Sequence, residues 1–321
     1  MAARYKRAMR TIVTGGAGFI GSTLARALVD VHHDVLVIDD LSRGKRTNVP
    51  REASFAEVSV ATPEVEQVIA EFRPNTIFHL AAQMDVRRSV ADAAFDARVN
   101  VEGMVRVANA AARAKAETFI FASSGGAIYG EQECFPADER HPLRPECPYG
   151  VAKECAEIYL DYFSRASGMR AVCLRFANVY GPRQDPHGEA GVVAIFAQKM
   201  LAGETPIING DGRQTRDYVF VDDVVRANLL ALRHPQARGP YNVGTGIETD
   251  LLQIAALLGD ATQYRGTAQH GPPKSGEQRR SVLECGRAQR ELHWQPQVSL
   301  ADGIRATAEW FRSSSTQANR S

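Results

Sequence analysis

Short apolar runs and longer segments of helical spacing alternate along the first half of the chain. Residues 10–14 make an apolar run that stops at a glycine cluster. A segment of helical period follows over 22–30, with apolar positions three and four apart. Strand-like runs then fall at 35–38, 55–60, 76–80, 118–123 and 171–176, separated by helical stretches over 63–71, 93–114 and 149–166. Strands that alternate with helices of this length predict a parallel sheet covered on both faces. After Phe176 the rhythm breaks, and Gly181, Pro182, Pro186, Gly188, Gly191, Gly203, Pro206, Gly210 and Gly212 cut the chain into short pieces. Turn-rich sequence of that kind predicts a second lobe. The polar stretch 313–321 predicts a disordered tail.

The glycine cluster reads TGGAGFIG over 14–21. In a strand–turn–helix setting it is a dinucleotide fingerprint. Gly15 permits the tight turn, Gly18 lets the backbone approach a pyrophosphate, and Gly21 lets the helix pack close to the strand. The helix start at Phe19 and Ile20 then offers N–H groups to phosphates. The next strand reads HDVLVIDD over 33–40 and places Asp39 18 residues past Gly21. A carboxylate there accepts the adenosine ribose hydroxyls and repels a 2′-phosphate, which favours NAD over NADP. Asp40 and Ser42 flank the same edge. Arg43 beside them is the counter-argument, because an arginine could accept a 2′-phosphate. The expected fold is therefore α/β, a doubly wound parallel sheet of Rossmann type with a smaller α/β substrate-binding lobe. The dinucleotide domain is expected over 1–178 with a return near 216–246, and the second lobe over 179–215 and 247–312.

One further pair carries chemistry. Tyr149 and Lys153 are four residues apart in PYGVAK, 128 residues after Gly21. On a helix that spacing puts both side chains on one face. A free tyrosine has a pKa of ~10, and a nearby cation favours its phenolate. Such a phenolate can take a proton from a sugar or alcohol hydroxyl.

Composition narrows the partners. The 321 residues are 44% hydrophobic and carry a net charge of +1, which predicts neither nucleic acid nor an anionic membrane as a general partner. The basic start (Arg4, Lys6, Arg7, Arg10) is followed by no apolar signal core, so no targeting segment is expected there. No stretch reaches the ~20 apolar residues of a membrane span. Five cysteines with no C-x-x-C pair argue against a disulfide framework and point to reduced thiols in the cytoplasm. No metal site is assigned.

Six motifs in order, TGGAGFIG, HLAAQ, SSGGAIYGE, PYGVAK, LRFANVYGPRQ and GRQTRDYVFVDD, resemble the extended short-chain dehydrogenases/reductases. The chain is most similar to their UDP-glucose 4-epimerase group, from residue 10 to about 311. The resemblance implies that Tyr149 is the base and that Lys153 orients it and the nicotinamide ribose. It implies a serine or threonine hydroxyl bridging substrate and tyrosine. Gly125 stands where many members carry that hydroxyl, so Ser124 is preferred, with Ser123 the alternative. Leu80, Ala81, Ala82 and Gln83 are expected to line the cofactor, with Asn100 near the pyrophosphate. Ser59, next to Val60, replaces the usual acid at the adenine.

For the substrate, the resemblance implies Asn178 on the diphosphate sugar and Arg216 on the UDP phosphates. Lys274 stands where an arginine is usual, and Glu277 would meet the uridine ribose. Gly191 and Val192 would line the same pocket, and Arg183 and Arg280 would face the substrate. Gly126 and Ala127 occupy positions where dehydratases and decarboxylases carry carboxylates, leaving reversible oxidation at carbon 4. The small Ser281 suggests room for a 2-acetamido group. The expected activity is a 4-epimerase of UDP-glucose and UDP-galactose, extending to the N-acetylated pair. UDP-glucuronate epimerisation, with Arg183 meeting the carboxylate, and an NAD(P)-dependent nucleotide-sugar reductase or dehydrogenase remain alternatives. Family resemblance also implies a homodimer built on helices 93–114 and 149–166.

Overall fold

The computed structural model describes residues 9–187, 191–273 and 278–318, with side chains to 314. Its strands are β1 (Arg10–Thr14), β2 (Asp34–Asp39), β3 (Ser54–Glu57), β4 (Thr76–His79), β5 (Thr118–Ser124), β6 (Arg170–Phe176), β7 (Asn178–Tyr180), β8 (Ile207–Asn209), β9 (Thr215–Phe220), β10 (Gly239–Val243), β11 (Glu248–Asp250) and β12 (Gln269–Gly271). Its α-helices are α1 (Phe19–Asp30), α2 (Glu64–Phe72), α3 (Val86–Ala91), α4 (Ala93–Ala97), α5 (Gly103–Arg113), α6 (Gly125–Ile128), α7 (Pro148–Ser167), α8 (Val192–Leu201), α9 (Val221–Arg233), α10 (Leu251–Thr262), α11 (Gly286–Leu292) and α12 (Leu300–Ala318). These residues fall into two compact units that interleave along the chain. One runs to Ser123 and adds Cys147–Leu174 and Ala227–Tyr241; the other takes Ser124–Glu146, Arg175–Arg226 and Asn242–Ser321.

The first unit is built on the large sheet, whose seven strands lie in the order β10-β6-β5-β4-β1-β2-β3. The pairs β1/β2, β2/β3, β1/β4 and β4/β5 are all parallel. Runs such as TIVT and VLVI are apolar without alternation because both faces are covered, as a parallel sheet requires. Ile12, Ile38, Ile77, Phe119 and Phe121 pack with Met104, Val107, Ala156 and Leu160 from the helices. The order reverses between β1 and β4. At that switch point the carboxyl ends of the two strands leave a crevice for a ligand, and here they lead into Gly15 and Leu80.

Three elements differ from the pattern reading. The strand expected over 55–60 stops at Glu57, where Ser59 begins a turn by accepting the Thr62 N–H and hydroxyl. The helix expected over 93–114 is broken by a π-helical turn, Arg98–Glu102, between α4 and α5. Such turns widen a helix locally and recur at functional sites. Helix α12 continues to Ala318, through part of the segment whose composition predicts disorder. An existing helix gains a hydrogen bond per added residue without a new nucleus.

Helix α7 is bounded as its sequence suggests. Pro148 sits in the first turn, where its missing N–H costs nothing. Gly168 closes the other end in a left-handed conformation, φ 76°.

The second unit holds a three-stranded sheet in the order β11-β9-β7 and a parallel β8/β12 pair. Buried Asp217 of β9 organises it. Its carboxylate accepts from the Thr245 N–H and hydroxyl at 2.7 and 2.6 Å, from Gly246 N–H at 3.0 Å and from Leu283 N–H at 3.4 Å. Its own N–H donates to the Ser281 carbonyl at 2.9 Å. Segment 279–283 is thereby fastened along β9. No helix among the described residues is long and apolar enough to cross a membrane, and no disulfide joins the five cysteines.

Candidate active site

In the first unit the glycine turn is held against both neighbouring strands. The Gly15 N–H donates to the Ile38 carbonyl at 2.8 Å. Gly15 has φ 68°, and a Cβ there would lie 2.7 Å from the Ala81 nitrogen, so only glycine fits between the turn and Leu80–Ala81. At Gly21 a Cβ would lie 2.2 Å from the Gly15 carbonyl oxygen. Gly18 caps α1 with extended backbone, and no side chain occupies that cap. The N–H groups of the first helical turn lack intrahelical partners, so the start of α1 is open to an acceptor.

Asp39 closes the other side of this turn. It is buried, and its two oxygens accept the N–H groups of Ala17 and Leu41, each at 2.9 Å. Burial pushes its carboxyl above the ordinary range, against those two bonds. Each carboxylate oxygen retains a lone pair for a further donor. Asp40 is exposed and accepts from Ser42 N–H and hydroxyl at 3.0 and 2.5 Å. The Arg43 guanidinium lies 3.4 Å from the Asp85 carboxylate. Ser59 accepts the Ala61 N–H, and the Val60 side chain is in the core, where it would touch a Cβ at Gly103.

The strand β4 leads into residues 80–83, which a buried amide network holds. Asn100, on the π turn, accepts the Gln83 N–H at 2.9 Å and donates to the Gln83 carbonyl at 2.8 Å and to Asp96 at 2.9 Å. Both amide hydrogens of Asn100 are thus used by the chain itself.

On α7, Tyr149 and Lys153 share a face. The Lys153 ammonium lies 5.5 Å from the Tyr149 ring centroid and 4.6 Å from that of Phe121, and donates to the Ala122 carbonyl at 2.8 Å. Lys153 is 3% exposed. Desolvation lowers its pKa from 10.5 to about 8, opposed by the charges of Asp96 and Glu157. Ser123 donates to Glu157 at 2.6 Å, so its hydroxyl is committed.

The second unit carries the remaining candidates. Ser124 is the cap residue of α6, and its hydroxyl makes no bond to that helix. Gly125 is buried, and a Cβ there would meet the Leu283 side chain at 2.5 Å. Asn178 opens β7, and its amide oxygen would lie 3.6 Å from a Cβ at Gly126. The α6 turn and Asn178 are therefore neighbours. Arg216, on β9, donates to the Thr215 carbonyl at 2.7 Å. Arg183 adopts φ 71°, and its charge lowers the carboxyl pKa of Asp222 against a larger upward push from burial. Gly191 caps α8 at Val192, pressed against Gln184. Ser281 is 3% exposed beside Asp217. Arg280 is fastened elsewhere, to Glu248 at 2.9 Å and over the Phe135 ring at 3.8 Å. Lys274 and Glu277 lie outside the described residues.

Residues 11–244 match the model of the NAD dependent epimerase/dehydratase family. The chain belongs to that family. It is 46% identical over 312 residues to the UDP-glucose 4-epimerase of Mycolicibacterium smegmatis, covering 96% of this chain and 100% of that one. The UDP-glucose 4-epimerase of Thermotoga maritima, solved with UDP-glucose, matches with a TM-score of 0.93 at 46% identity, over 95% of this chain and 99% of its own. The Thermus thermophilus UDP-glucose 4-epimerase, solved in complex with NAD, matches with a TM-score of 0.90 at 42% identity and the same coverage.

The residues of the first unit fit the dinucleotide that defines this epimerase/dehydratase family. The glycine turn leaves no Cβ in the way, the start of α1 offers N–H groups, and Asp39 keeps acceptor capacity. Pattern reading missed three groups around Lys153. Glu157 was legible, because it continues the Tyr149–Lys153 face by one more step of four. Asp96 and His79 were not, because they reach Lys153 by tertiary packing. His79 is 1% exposed, bonded to the Thr14 hydroxyl at 2.9 Å, and burial with the Lys153 charge lowers its pKa to about 3. It adds no positive charge at neutral pH.

Proposed function

We propose that this protein is a nucleotide-sugar 4-epimerase, an isomerase that inverts carbon 4 of a UDP-hexose through a transient 4-keto sugar. The observation that carries the reading is the Tyr149–Lys153 pair, with a buried ammonium beside the phenol ring. Bound NAD supplies the reversible two-electron acceptor at its nicotinamide. Tyr149 takes the proton from the carbon-4 hydroxyl as that carbon becomes a ketone, and returns it when the ketone is reduced on its other face. Lys153 stabilises the phenolate through its charge. Ser124, uncommitted to its helix, steadies the substrate hydroxyl, while Ser123 is occupied by Glu157. Asn178 and Arg216 hold the diphosphate, with Lys274 and Glu277 assigned by resemblance. Tight grip on the diphosphate and a loose hold on the sugar allow the keto group to turn, a division of binding energy that favours the transition state.

Asp39 accepts the adenosine ribose, and Arg43 pairs with Asp85. Leu80, Ala81, Ala82 and Gln83 line the dinucleotide. Absence of a carboxylate at Gly126 and Ala127 removes the acid–base group that elimination would need. Ser281, small and buried, leaves room for the N-acetylated pair. We also infer a homodimer, and a reducing compartment that suits five thiols without a disulfide.

The test is incubation with UDP-glucose, UDP-N-acetylglucosamine and UDP-glucuronate, followed by NMR of the anomeric products. Conversion of UDP-glucose to UDP-galactose with no net NADH is the expected outcome. Net NADH production or consumption would select a dehydrogenase or reductase and overturn the reading.

A further inference from the structure

Asp96 stands out as a buried charge that the family motifs do not mention. It is 1% exposed, on α4. Its Oδ1 accepts from Gln83 Nε2 and Asn100 Nδ2, each at 2.9 Å. Its Oδ2 is equally buried and has no hydrogen-bond partner among the described residues. Burying a carboxylate costs free energy unless its charge is compensated, so neighbouring groups must offset it. Helix α4 packs on α7. The groups that face Lys153 electrostatically are Asp96 from α4, Glu157 from its own helix and neutral His79 from β4. Arg87, Arg88 and Arg98, on α3 and the π turn, are exposed, and solvent screens them.

We propose that Asp96 is a positioning residue for the Tyr149–Lys153 pair: one carboxylate oxygen fixes Gln83 and Asn100, and the charge of the group keeps the buried Lys153 protonated. The two roles are joined by geometry. The buried acid that holds Gln83 and Asn100 sits on α4, which packs against the helix that carries Lys153. Loss of the proton from Lys153 would remove the cation that favours the Tyr149 phenolate. The inference rests on the reading of Tyr149 and Lys153 as the acid–base pair.

The test is Asp96→Asn, which keeps the size and an acceptor oxygen but removes the charge. Lys153 is followed directly by NMR of 13C-lysine-labelled protein. The chain has six lysines, and Lys153→Arg assigns the signal. In the wild type the midpoint is expected near pH 8. In Asp96→Asn it should fall by about one pH unit, and the alkaline limb of epimerase turnover should move down with it. Glu157→Gln should act in the same direction. An unmoved midpoint in Asp96→Asn overturns the proposal, whether or not turnover drops, because a purely structural role would lower activity without shifting the titration. Should Asp96→Asn fail to fold, Asp96→Ala with the same readout decides. If the lysine midpoint shifts but no UDP-sugar is converted by the wild type, the epimerase reading fails while the electrostatic role stands.

Discussion

At the scale of single residues, each side chain of the candidate site can be tested by removing one functional group. Tyr149 is the sharpest case. Tyr149→Phe keeps the ring and the packing but removes the proton acceptor, so turnover should fall by about 10²–10⁴-fold with an unchanged circular dichroism spectrum. Near-normal kcat in that variant would end the assignment of Tyr149 as base. The serine pair gives a finer test. Ser123 donates to Glu157 at 2.6 Å, whereas Ser124 makes no bond to the helix it caps. Ser124→Ala should therefore lower kcat more than Ser123→Ala, which loses about 1 kcal/mol of stability with its hydrogen bond. The reverse order, read from initial rates, would return the bridging role to Ser123. Alignment alone left these two open, because the glycine at 125 displaces the usual register. The hydrogen bond from Ser123 to Glu157 is the reason for preferring Ser124, and it exists only once α7 is folded against β5.

At the scale of elements, local pattern reached strands and helices but not the packing between them. The run 10–14, the glycine cluster and the acid at Asp39 are readable because each depends on near neighbours along the chain. The π turn at Arg98–Glu102 interrupts a continuous apolar period, and nothing in that period announces it. On that turn Asn100 reaches Gln83 and Asp96. His79 on β4 is a similar case, with a consequence for stability. Its imidazole stays neutral in the fold down to about pH 3, while an unfolded chain protonates it near 6.5. The sign follows from that depression. The contribution of His79 is complete above pH 6.5 and is lost as pH falls from 6.5 toward 3, at up to about 1.4 kcal/mol per pH unit. Lowering the pH from 7 to 5 should therefore destabilise the wild type by about 2 kcal/mol more than His79→Gln. Urea titrations of both proteins at the two pH values measure this difference. Equal losses in the two proteins would show that the imidazole is not buried in the neutral form.

At the scale of the whole molecule, the two compact units interleave along the chain, a property set by long-range contacts that no local window contains. One surface of the first unit also asks for something beyond the single chain. Helix α7 turns Lys153, Ala156 and Leu160 inward, all nearly inaccessible. Its outer face is not the polar one that a solvated helix presents. Val151, Ile158, Tyr159 and Tyr162 are exposed there at 46%, 64%, 44% and 55%. Their spacing of seven, one and three keeps them within one stripe of the helix. Apolar stripes of this kind, rimmed by charges such as Asp161 and Arg165, mark association surfaces. A two-fold axis beside α7 would pair the stripe with itself, the commonest closed arrangement of identical chains. The wild type should then sediment at about twice its 35.1 kDa, and Ile158→Glu with Tyr162→Glu should reduce it to a single chain. Because the acid–base face of α7 points the other way, the double variant should keep bound NAD and measurable turnover. Sedimentation of the wild type as a monomer at micromolar concentration would rule out the dimer, and loss of NAD in the double variant would mean that the stripe supports the fold rather than a partner.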